Sequence, residues 1–184
     1  AASDAEIGTY DITGAFVSEP LPADSPPMYM RLPKAYTQGK EVIVRLKKSL
    51  YGLREAPRLF YNGLSKQLEA QGFKKSMFDP CLFIKSFPDG SKQFALVHVD
   101  DTLLISPSRT AVQSFKTDLS LRYKITGDDE AQNYLGYKIS RDRTTRRLTL
   151  AQPGFAAQLR SKFKLDDANT YPDPNHAQFD EINT

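Results

Sequence analysis

The stretch that most constrains the fold is residues 94–106, in which two short apolar runs flank the adjacent pair Asp100 and Asp101. The runs, residues 94–97 and 103–105, are rich in Val, Leu and Ile, which is typical of buried β-strands. The Asp pair falls where two such strands must turn. We therefore expect two neighbouring carboxylates at the tip of a tight hairpin, carried by a rigid sheet.

The residues alone leave two interpretations of this pair open. Asp is a common turn residue because its side chain bonds to its own backbone. Alternatively, the pair holds a cation, since two like charges about 4 Å apart repel by roughly 1 kcal/mol in water and about 4 kcal/mol at an effective dielectric near 20. Such a pair is unfavourable unless it stays solvated, takes up a proton or binds a cation.

The remaining strands are indicated by short apolar or alternating segments between turn residues. The first of them carries Asp11 near its end. Residues 134–139 are predicted as one continuous strand that forms a hairpin with the last strand. The predicted strands are residues 7–12, 28–30, 41–46, 81–86, 93–98, 134–139 and 147–150.

Three helices are predicted from apolar residues at helical spacing. Pro57 suits the first turn of one helix, where a missing N–H costs nothing, and Gly72 stands where its C-terminal cap belongs. Ser108 is positioned to cap the second helix, and Pro153 opens the third. The apolar stripes are Phe60, Leu64 and Leu68, then Val112, Phe115 and Leu119, then Phe155, Leu159 and Phe163.

Charge is distributed unevenly along the chain. Residues 1–164 hold all 25 basic residues against 17 of the 22 acidic ones, a net charge of +8, which favours a polyanionic partner. Residues 166–184 are polar and acidic, and we predict an extended tail there. The single cysteine, Cys81, excludes an internal disulfide framework and a cysteine-based zinc site.

No apolar run approaches the length of a membrane span, so no membrane partner is predicted. One thiol and no secretory leader favour a reducing, intracellular setting. The absence of an initiating Met favours a fragment of a longer polyprotein. The oligomeric state is left open.

Four motifs occur in order, and together they resemble the reverse transcriptase of copia-type LTR retrotransposons. They begin at Asp11 (Asp-Ile-Thr-Gly-Ala-Phe), Leu50 (Leu-Tyr-Gly-Leu-Arg-Glu-Ala-Pro), Val99 (Val-Asp-Asp) and Tyr134 (Tyr-Leu-Gly-Tyr). The resemblance implies an α+β fold: a polymerase palm-type antiparallel sheet with helices packed on one face, plus partial fingers and thumb elements. Residues 1–165 would form this palm-centred core, and the acidic tail at residues 166–184 would lead toward a connection region. The resemblance also implies an intracellular location, in a cytoplasmic particle or the nucleus.

The resemblance also implies a two-metal site. Asp11, Asp100 and Asp101 would be the catalytic carboxylates that hold two Mg²⁺ ions, with Mn²⁺ as a substitute and the carbonyl of Ile12 as a further ligand. Such ions prefer oxygen ligands, usually carboxylates together with substrate phosphates. The implied reaction is RNA-directed DNA synthesis, in which a nucleotidyl group is transferred from a dNTP to a primer 3′-hydroxyl on an RNA or DNA template.

Further roles are implied position by position. Phe16 matches the residue that packs against the incoming sugar, and Tyr51 and Gly52 match the floor of the nucleotide pocket. Arg54 would meet phosphate. The primer-gripping hairpin corresponds to Leu135, Gly136 and Tyr137. From the residues alone each has an ordinary alternative: a core aromatic for Phe16, a solvated arginine for Arg54 and a plain β-hairpin for residues 135–137.

Two rival functions stay open beside the polymerase. The first is a catalytically inactive or domesticated fragment that binds nucleic acid or protein through the same fold. The second is a metal-dependent nuclease, or another phosphoryl-transfer enzyme, that uses the same three carboxylates.

Overall fold

Three antiparallel sheets and four α-helices are formed by residues 4–165, the part of the chain that the computed structural model describes. The helices are α1 Ala15–Ser18, α2 Ala56–Ala70, α3 Arg109–Ser120 and α4 Pro153–Phe163, with a 3-10 turn at Lys34–Tyr36. The strands are β1 Glu6–Ile12, β2 Tyr29–Arg31, β3 Ile43–Arg45, β4 Lys74–Lys75, β5 Leu82–Ser86, β6 Lys92–His98, β7 Asp101–Ser106, β8 Ile125–Asp128, β9 Asn133–Tyr134, β10 Tyr137–Asp142 and β11 Arg147–Ala151.

The largest sheet has six strands in the order β4-β5-β6-β7-β1-β8, and every neighbouring pair is antiparallel. β6 and β7 form the predicted hairpin, because His98 pairs directly with Asp101 and leaves only Val99 and Asp100 in the turn. β1 lies on the other side of β7. The strand that carries Asp11 is therefore hydrogen-bonded to the strand that begins at Asp101.

The main core lies on one face of this sheet, where α2 and α3 pack. Successive side chains of a strand point to opposite faces. In β1, Tyr10 and Ile12 are buried in the core, while Asp11 points to the other face. The stripes predicted for α2 and α3 are all buried in the same core: Phe60, Leu64, Leu68, Val112, Phe115 and Leu119. The predicted α+β class is thus confirmed, whereas the assignment of palm, fingers and thumb stays a prediction.

The predicted helix signals are also observed. Pro57 lies in the first turn of α2, and Gly72 follows the helix with φ of 89°, a conformation that glycine adopts without strain. The Ser108 side chain accepts a hydrogen bond from the Ala111 N–H and so caps α3. α4 begins at Pro153 as expected, but its apolar stripe is largely exposed.

One prediction about strands is wrong: residues 134–139 do not form one strand. Tyr134 pairs with Tyr137, so the chain reverses within Leu135 and Gly136 and separates β9 from β10. Both turn residues have positive φ, 47° and 80°, which is the geometry of a two-residue hairpin. The periodic pattern hid this turn because Leu135 is apolar. The pairing of β10 with β11 is as predicted.

The strand β8 was not predicted at all, although it extends the sheet beside β1. Its pairing brings Gly127 so close to β1 that an added Cβ would lie 2.0 Å from the Thr9 carbonyl oxygen. Just beyond β8, the Asp129 carboxylate accepts hydrogen bonds from Tyr10 in β1 and from Lys116 and Gln113 in α3. This carboxylate therefore ties the helix layer to the central strand.

We expect Asp129→Asn to weaken the fold in a pH-dependent way. Burial would raise the pKa of Asp129, but the hydrogen bonds from Lys116 and Tyr10 outweigh burial and lower that pKa below its usual value. A lowered carboxyl pKa stabilises the folded state above the unfolded pKa, about 3.9, and this stability is lost as the pH falls through the folded value. The ion pair is partly exposed, so the expected loss at pH 7 is about 0.5–1 kcal/mol.

Urea unfolding of the parent chain and of Asp129→Asn between pH 7 and pH 3 measures this effect. The difference in unfolding free energy should shrink as the pH drops below about 4. Asp24→Asn, the same change at an exposed carboxylate, is the control. A difference that stays constant across this pH range would contradict the role given to the charge of Asp129.

None of the helices within residues 4–165 is long and apolar enough to cross a membrane. The acidic tail predicted for residues 166–184 lies outside the described residues, and the domain boundary at 165 stays a prediction.

Candidate active site

Two of the three predicted metal-binding carboxylates face each other across neighbouring strands. Asp11 in β1 and Asp101 in β7 are direct partners in the antiparallel register. Directly opposed residues point to the same face of a sheet, with Cβ atoms about 4.5–5.5 Å apart. Both side chains therefore lie on the face opposite the core formed by α2 and α3.

The third carboxylate belongs to the turn that precedes β7. The Asp100 carbonyl accepts a hydrogen bond of 3.0 Å from the backbone N–H of Ile12, so the turn is bonded to the end of β1. The Ile12 side chain is buried in the core, which fixes its backbone beside the turn. The three Asp residues thus come from two segments that are adjacent in space. The role of the Ile12 carbonyl as a ligand stays a prediction.

The electrostatics of Asp101 reflect this proximity. Partial burial raises its pKa above the usual value, the negative charges of Asp100 and Asp11 raise it further, and only nearby His98 opposes them. A carboxylate that is partly desolvated and surrounded by like charge is stabilised by a cation. Hard oxygen donors of this kind suit Mg²⁺.

The side chains as they stand do not enclose an ion. Within residues 4–165, no three His, Cys, Asp or Glu side chains converge closely enough to form a ready-made metal cluster. The donor chemistry and the mutual repulsion at Asp101 nevertheless fit a divalent cation. The backbone places all three Asp residues at one end of the sheet, and their convergence on a shared ion stays a prediction.

A cleft of about 200 Å³ opens beside the carboxylates. The predicted primer-grip residues Leu135 and Gly136 line this cleft together with Asp11 and Asp101. The neighbouring Tyr137 begins β10 and is partly exposed. Two motifs that lie far apart in the sequence therefore meet at one cleft. The complete lining is Thr9, Tyr10, Asp11, Asp101, Gly127, Asn133, Tyr134, Leu135 and Gly136.

Several of these lining residues were missed from the sequence, Tyr134 above all. Its hydroxyl donates to the Leu96 carbonyl at 3.4 Å, which holds the ring over the outer face of the sheet. Burial, with the negative charge of Asp101 as a further cause, raises the pKa of Tyr134 to about 12. The ring is therefore a neutral wall of the cleft. Its place within the Tyr-Leu-Gly-Tyr motif was the signal that could have identified it.

The turn that carries Asp100 is strained at Val99. This β-branched residue has φ of 55°, in the left-handed region that side chains disfavour by about 1–2 kcal/mol. Two-residue hairpins that need positive φ at the first central position strongly favour glycine there. Val99 is 42% exposed, so packing offers little compensation.

Replacing Val99 by Gly is expected to stabilise the chain by about 0.5–1 kcal/mol. The change relieves the backbone strain, and the flexibility of glycine in the unfolded state offsets part of the gain. Thermal unfolding should show a rise in Tm of roughly 1–4 °C. Val99→Ala is the matched control, since it shortens the side chain without relieving the strain and should give no gain. A lower Tm for Val99→Gly would contradict this account.

The predicted nucleotide-binding residues form a second group near α1. The rings of Phe16 and Tyr51 contact edge to face, with centroids 5.0 Å apart, and Phe16 also packs against the buried Phe60 at 6.3 Å. Tyr51 is 57% exposed, so one side of this aromatic pair faces solvent. Phe16 thus has both a core contact and an exposed aromatic neighbour.

Gly52 and Arg54 lie next to this pair. Gly52 has φ of 92°, and an added Cβ would meet open space. The positive φ, and not a steric contact, therefore favours glycine at this position. Arg54 is exposed, and none of the described residues forms an ion pair with it. Both residues are accessible to a ligand, and their contacts with nucleotide stay predictions.

A larger cavity, of about 410 Å³, lies elsewhere. It is lined mainly by acidic residues, including Asp129, and by Arg109, which pairs with Glu6 and Glu130. Its charges are thus largely engaged within the chain, and it contains none of the predicted site residues. The smaller cleft at Asp11 and Asp101 is the better candidate.

Fold and cleft together define a class: an α+β protein with carboxylates at one end of an antiparallel sheet, facing away from its helices. Comparison with known proteins then gives the family. The chain matches the family model described as reverse transcriptase (RNA-dependent DNA polymerase) over residues 1–177. The chain therefore belongs to the reverse transcriptase family.

The relatives are retrotransposon proteins. The chain is 31% identical over 176 residues, 95% of its length, to the retrovirus-related Pol polyprotein from transposon TNT 1-94 of Nicotiana tabacum. It is 31% identical over 137 residues, 73% of its length, to the corresponding polyprotein from transposon RE1 of Arabidopsis thaliana. The resemblance to copia-type reverse transcriptases is confirmed. The chain spans only 13% and 9% of these two relatives.

Proposed function

We propose that this chain is the palm-centred core, residues 1–165, of a retrotransposon reverse transcriptase, and that it catalyses transfer of the nucleotidyl group of a dNTP to a primer 3′-hydroxyl, with pyrophosphate as the leaving group. One observation supports the proposal most strongly: Asp11 and Asp101 line the same cleft as the turn at Leu135 and Gly136. Membership of the reverse transcriptase family supports the same chemistry.

In this proposal each group of residues has one task. Asp11, Asp100 and Asp101 hold two Mg²⁺ ions. Bound Mg²⁺ would activate the primer hydroxyl and stabilise the departing pyrophosphate, as two-metal sites do. The turn at Leu135 and Gly136 would contact the primer end and direct it toward the carboxylates.

The remaining proposed contacts hold the nucleotide. The exposed side of the pair formed by Phe16 and Tyr51 would pack against its sugar. Gly52 leaves space beside that pair, and Arg54 supplies a positive charge for phosphate. Precise orientation of bound reactants accounts for a large share of catalysis in reactions of this type.

A primer-extension assay with Mg²⁺ tests the proposal and separates it from both rivals. Extension that requires all of template, primer and dNTP is the expected result. Cleavage of the nucleic acid without dNTP would favour the nuclease. Binding without either reaction, in a preparation that also contains the flanking polyprotein regions, would favour the inactive binding module.

Nucleic-acid binding should depend steeply on salt. Residues 1–164 have a net charge of +8, so we expect affinity for a primer–template duplex to come mainly from phosphate contacts. The slope of log K against log salt should be about −0.9 for each phosphate neutralised. Fluorescence anisotropy with a labelled duplex at 50–300 mM salt measures it. A slope near zero would contradict a phosphate-based interface.

A further inference from the structure

Glu19 is a buried carboxylate that the proposed mechanism does not use. It directly follows α1, and its side chain is only 7% exposed. Arg122 donates to one carboxylate oxygen at 2.7 Å, and the Tyr123 hydroxyl donates to the other at 2.7 Å. Both partners lie just beyond the end of α3. A buried charge is retained at such a position only when it is paired and hydrogen-bonded in this way.

The helix beneath Glu19 is shaped to admit this carboxylate. Gly63 lies in the interior of α2, where glycine costs about 0.5–1 kcal/mol relative to alanine. A Cβ at this position would come within 2.3 Å of the Glu19 carboxylate. Glycine is therefore favoured at position 63 because a side chain there would clash with the Glu19 carboxylate.

The backbone of Glu19 continues the connection toward the aromatic pair. Its carbonyl accepts a hydrogen bond of 2.9 Å from the N–H of Ser49, a residue that is 2% exposed. The Ser49 hydroxyl in turn donates to the carbonyl of Phe16. Ser49 lies two residues before Tyr51, whose ring contacts Phe16. Glu19 thus links the two segments that carry the predicted sugar contacts to α2 and to the segment that follows α3.

We propose that Glu19 is a positioning residue: its carboxylate, held by Arg122 and Tyr123 over Gly63, fixes the rings of Phe16 and Tyr51 relative to each other for recognition of the nucleotide sugar. The sugar-recognition part of this inference rests on the proposed function. The structural part, that loss of the Glu19 charge loosens the segment at Tyr51, does not.

The first readout needs no activity. The chain contains no tryptophan, so Tyr51→Trp introduces a single fluorescent reporter beside Phe16. Adding Glu19→Gln keeps the size of the side chain but removes its charge. We expect acrylamide quenching of the indole to increase at least twofold. Gly63→Ala should have the same effect, because its methyl group displaces the Glu19 carboxylate.

A double-mutant cycle tests whether Gly63 acts through Glu19. In a Glu19→Ala background the clash is gone, so Gly63→Ala should add no further quenching and no further loss of stability. Contacting residues are expected to deviate from additivity in this way. The second readout is the ratio of dNTP to rNTP incorporation, which should fall about tenfold in Glu19→Gln and in Gly63→Ala.

Gln93→Leu is the control for a general loss of stability. This amide is also buried and bonds to the Ser106 hydroxyl and the Ala111 carbonyl, near the opposite end of α3 from Glu19. The Gln93→Leu change should lower Tm without changing the acrylamide quenching or the ratio of dNTP to rNTP incorporation. Glu19→Gln that lowers Tm while leaving both readouts unchanged would overturn the inference. Failure of the parent protein to extend primers in a preparation that contains the flanking polyprotein regions would contradict the proposed function, while quenching would still decide whether Glu19 positions the segment at Tyr51.

Discussion

Replacing Asp100 or Asp11 by Asn is expected to abolish nucleotidyl transfer and to leave the fold equally stable or more stable. Each change removes a metal ligand in the proposed mechanism, and metal sites supply several kcal/mol of transition-state stabilisation. We therefore expect the rate to fall by at least about 10³-fold, which corresponds to roughly 4 kcal/mol. The fold should not suffer, because the negative charges of Asp100 and Asp11 raise the pKa of Asp101 and their removal relieves repulsion.

Single-turnover primer extension and thermal unfolding of the same preparations, in a full-length context, measure the two quantities. Asp89→Asn is the matched control. Asp89 lies in the turn between β5 and β6, where its carboxylate accepts hydrogen bonds from the backbone and the hydroxyl of Ser91. The Asp89→Asn variant should lose some stability and keep its activity. If Asp100→Asn behaves in the same way, the Asp pair is only a turn and the metal-site assignment fails.

Truncating Phe16 to Val is expected to increase the use of ribonucleotides relative to deoxynucleotides by roughly 10- to 100-fold. The ring would meet a 2′-hydroxyl without offering it a hydrogen-bond partner, and leaving such a group unpaired costs about 1–3 kcal/mol. One decade of discrimination corresponds to about 1.4 kcal/mol. Stability should fall by less than the roughly 3–5 kcal/mol typical of a fully buried phenylalanine, because Phe16 is only partly buried.

The competing interpretation of Phe16 is a core aromatic, and its contact with Phe60 gives that interpretation some support. Phe83→Val is the control, since Phe83 is completely buried in β5 and is not one of the predicted nucleotide-binding residues. It should lower Tm strongly and leave the sugar ratio unchanged. A Phe16→Val variant with the same profile would assign Phe16 to the core.

Much of the fold was predictable because apolar patterns between residues close in the sequence indicate its strands and helices. The short apolar runs around Asp100 and Asp101 indicated a hairpin, and the register of β6 with β7 confirms it. The stripes of α2 and α3 predicted which side chains are buried, because helical spacing alone determines one face. The family resemblance then supplied what no local pattern contains, namely that Asp11 belongs beside this hairpin.

The features that were missed depend on partners distant in the sequence. β8 has little apolar content of its own and exists because β1 is available to pair with it. The hydrogen bonds to the Glu19 carboxylate come from residues more than 100 positions away, and nothing in its local sequence distinguishes it from a solvated glutamate. The turn at Leu135 and Gly136 was hidden for a different reason: an apolar residue occupies a left-handed position that usually selects Asn, Asp or Gly.

Binding of Mn²⁺, followed by electron paramagnetic resonance and by competition with Mg²⁺, tests the central claim most directly. The parent chain should bind Mn²⁺, and Asp11→Asn and Asp101→Asn should each weaken binding at least about tenfold, or 1.4 kcal/mol. Asp129→Asn, in the larger acidic cavity, should leave the affinity unchanged. Equal Mn²⁺ affinity in the parent chain and in both site variants, or a loss confined to Asp129→Asn, would contradict a metal site at the end of the sheet.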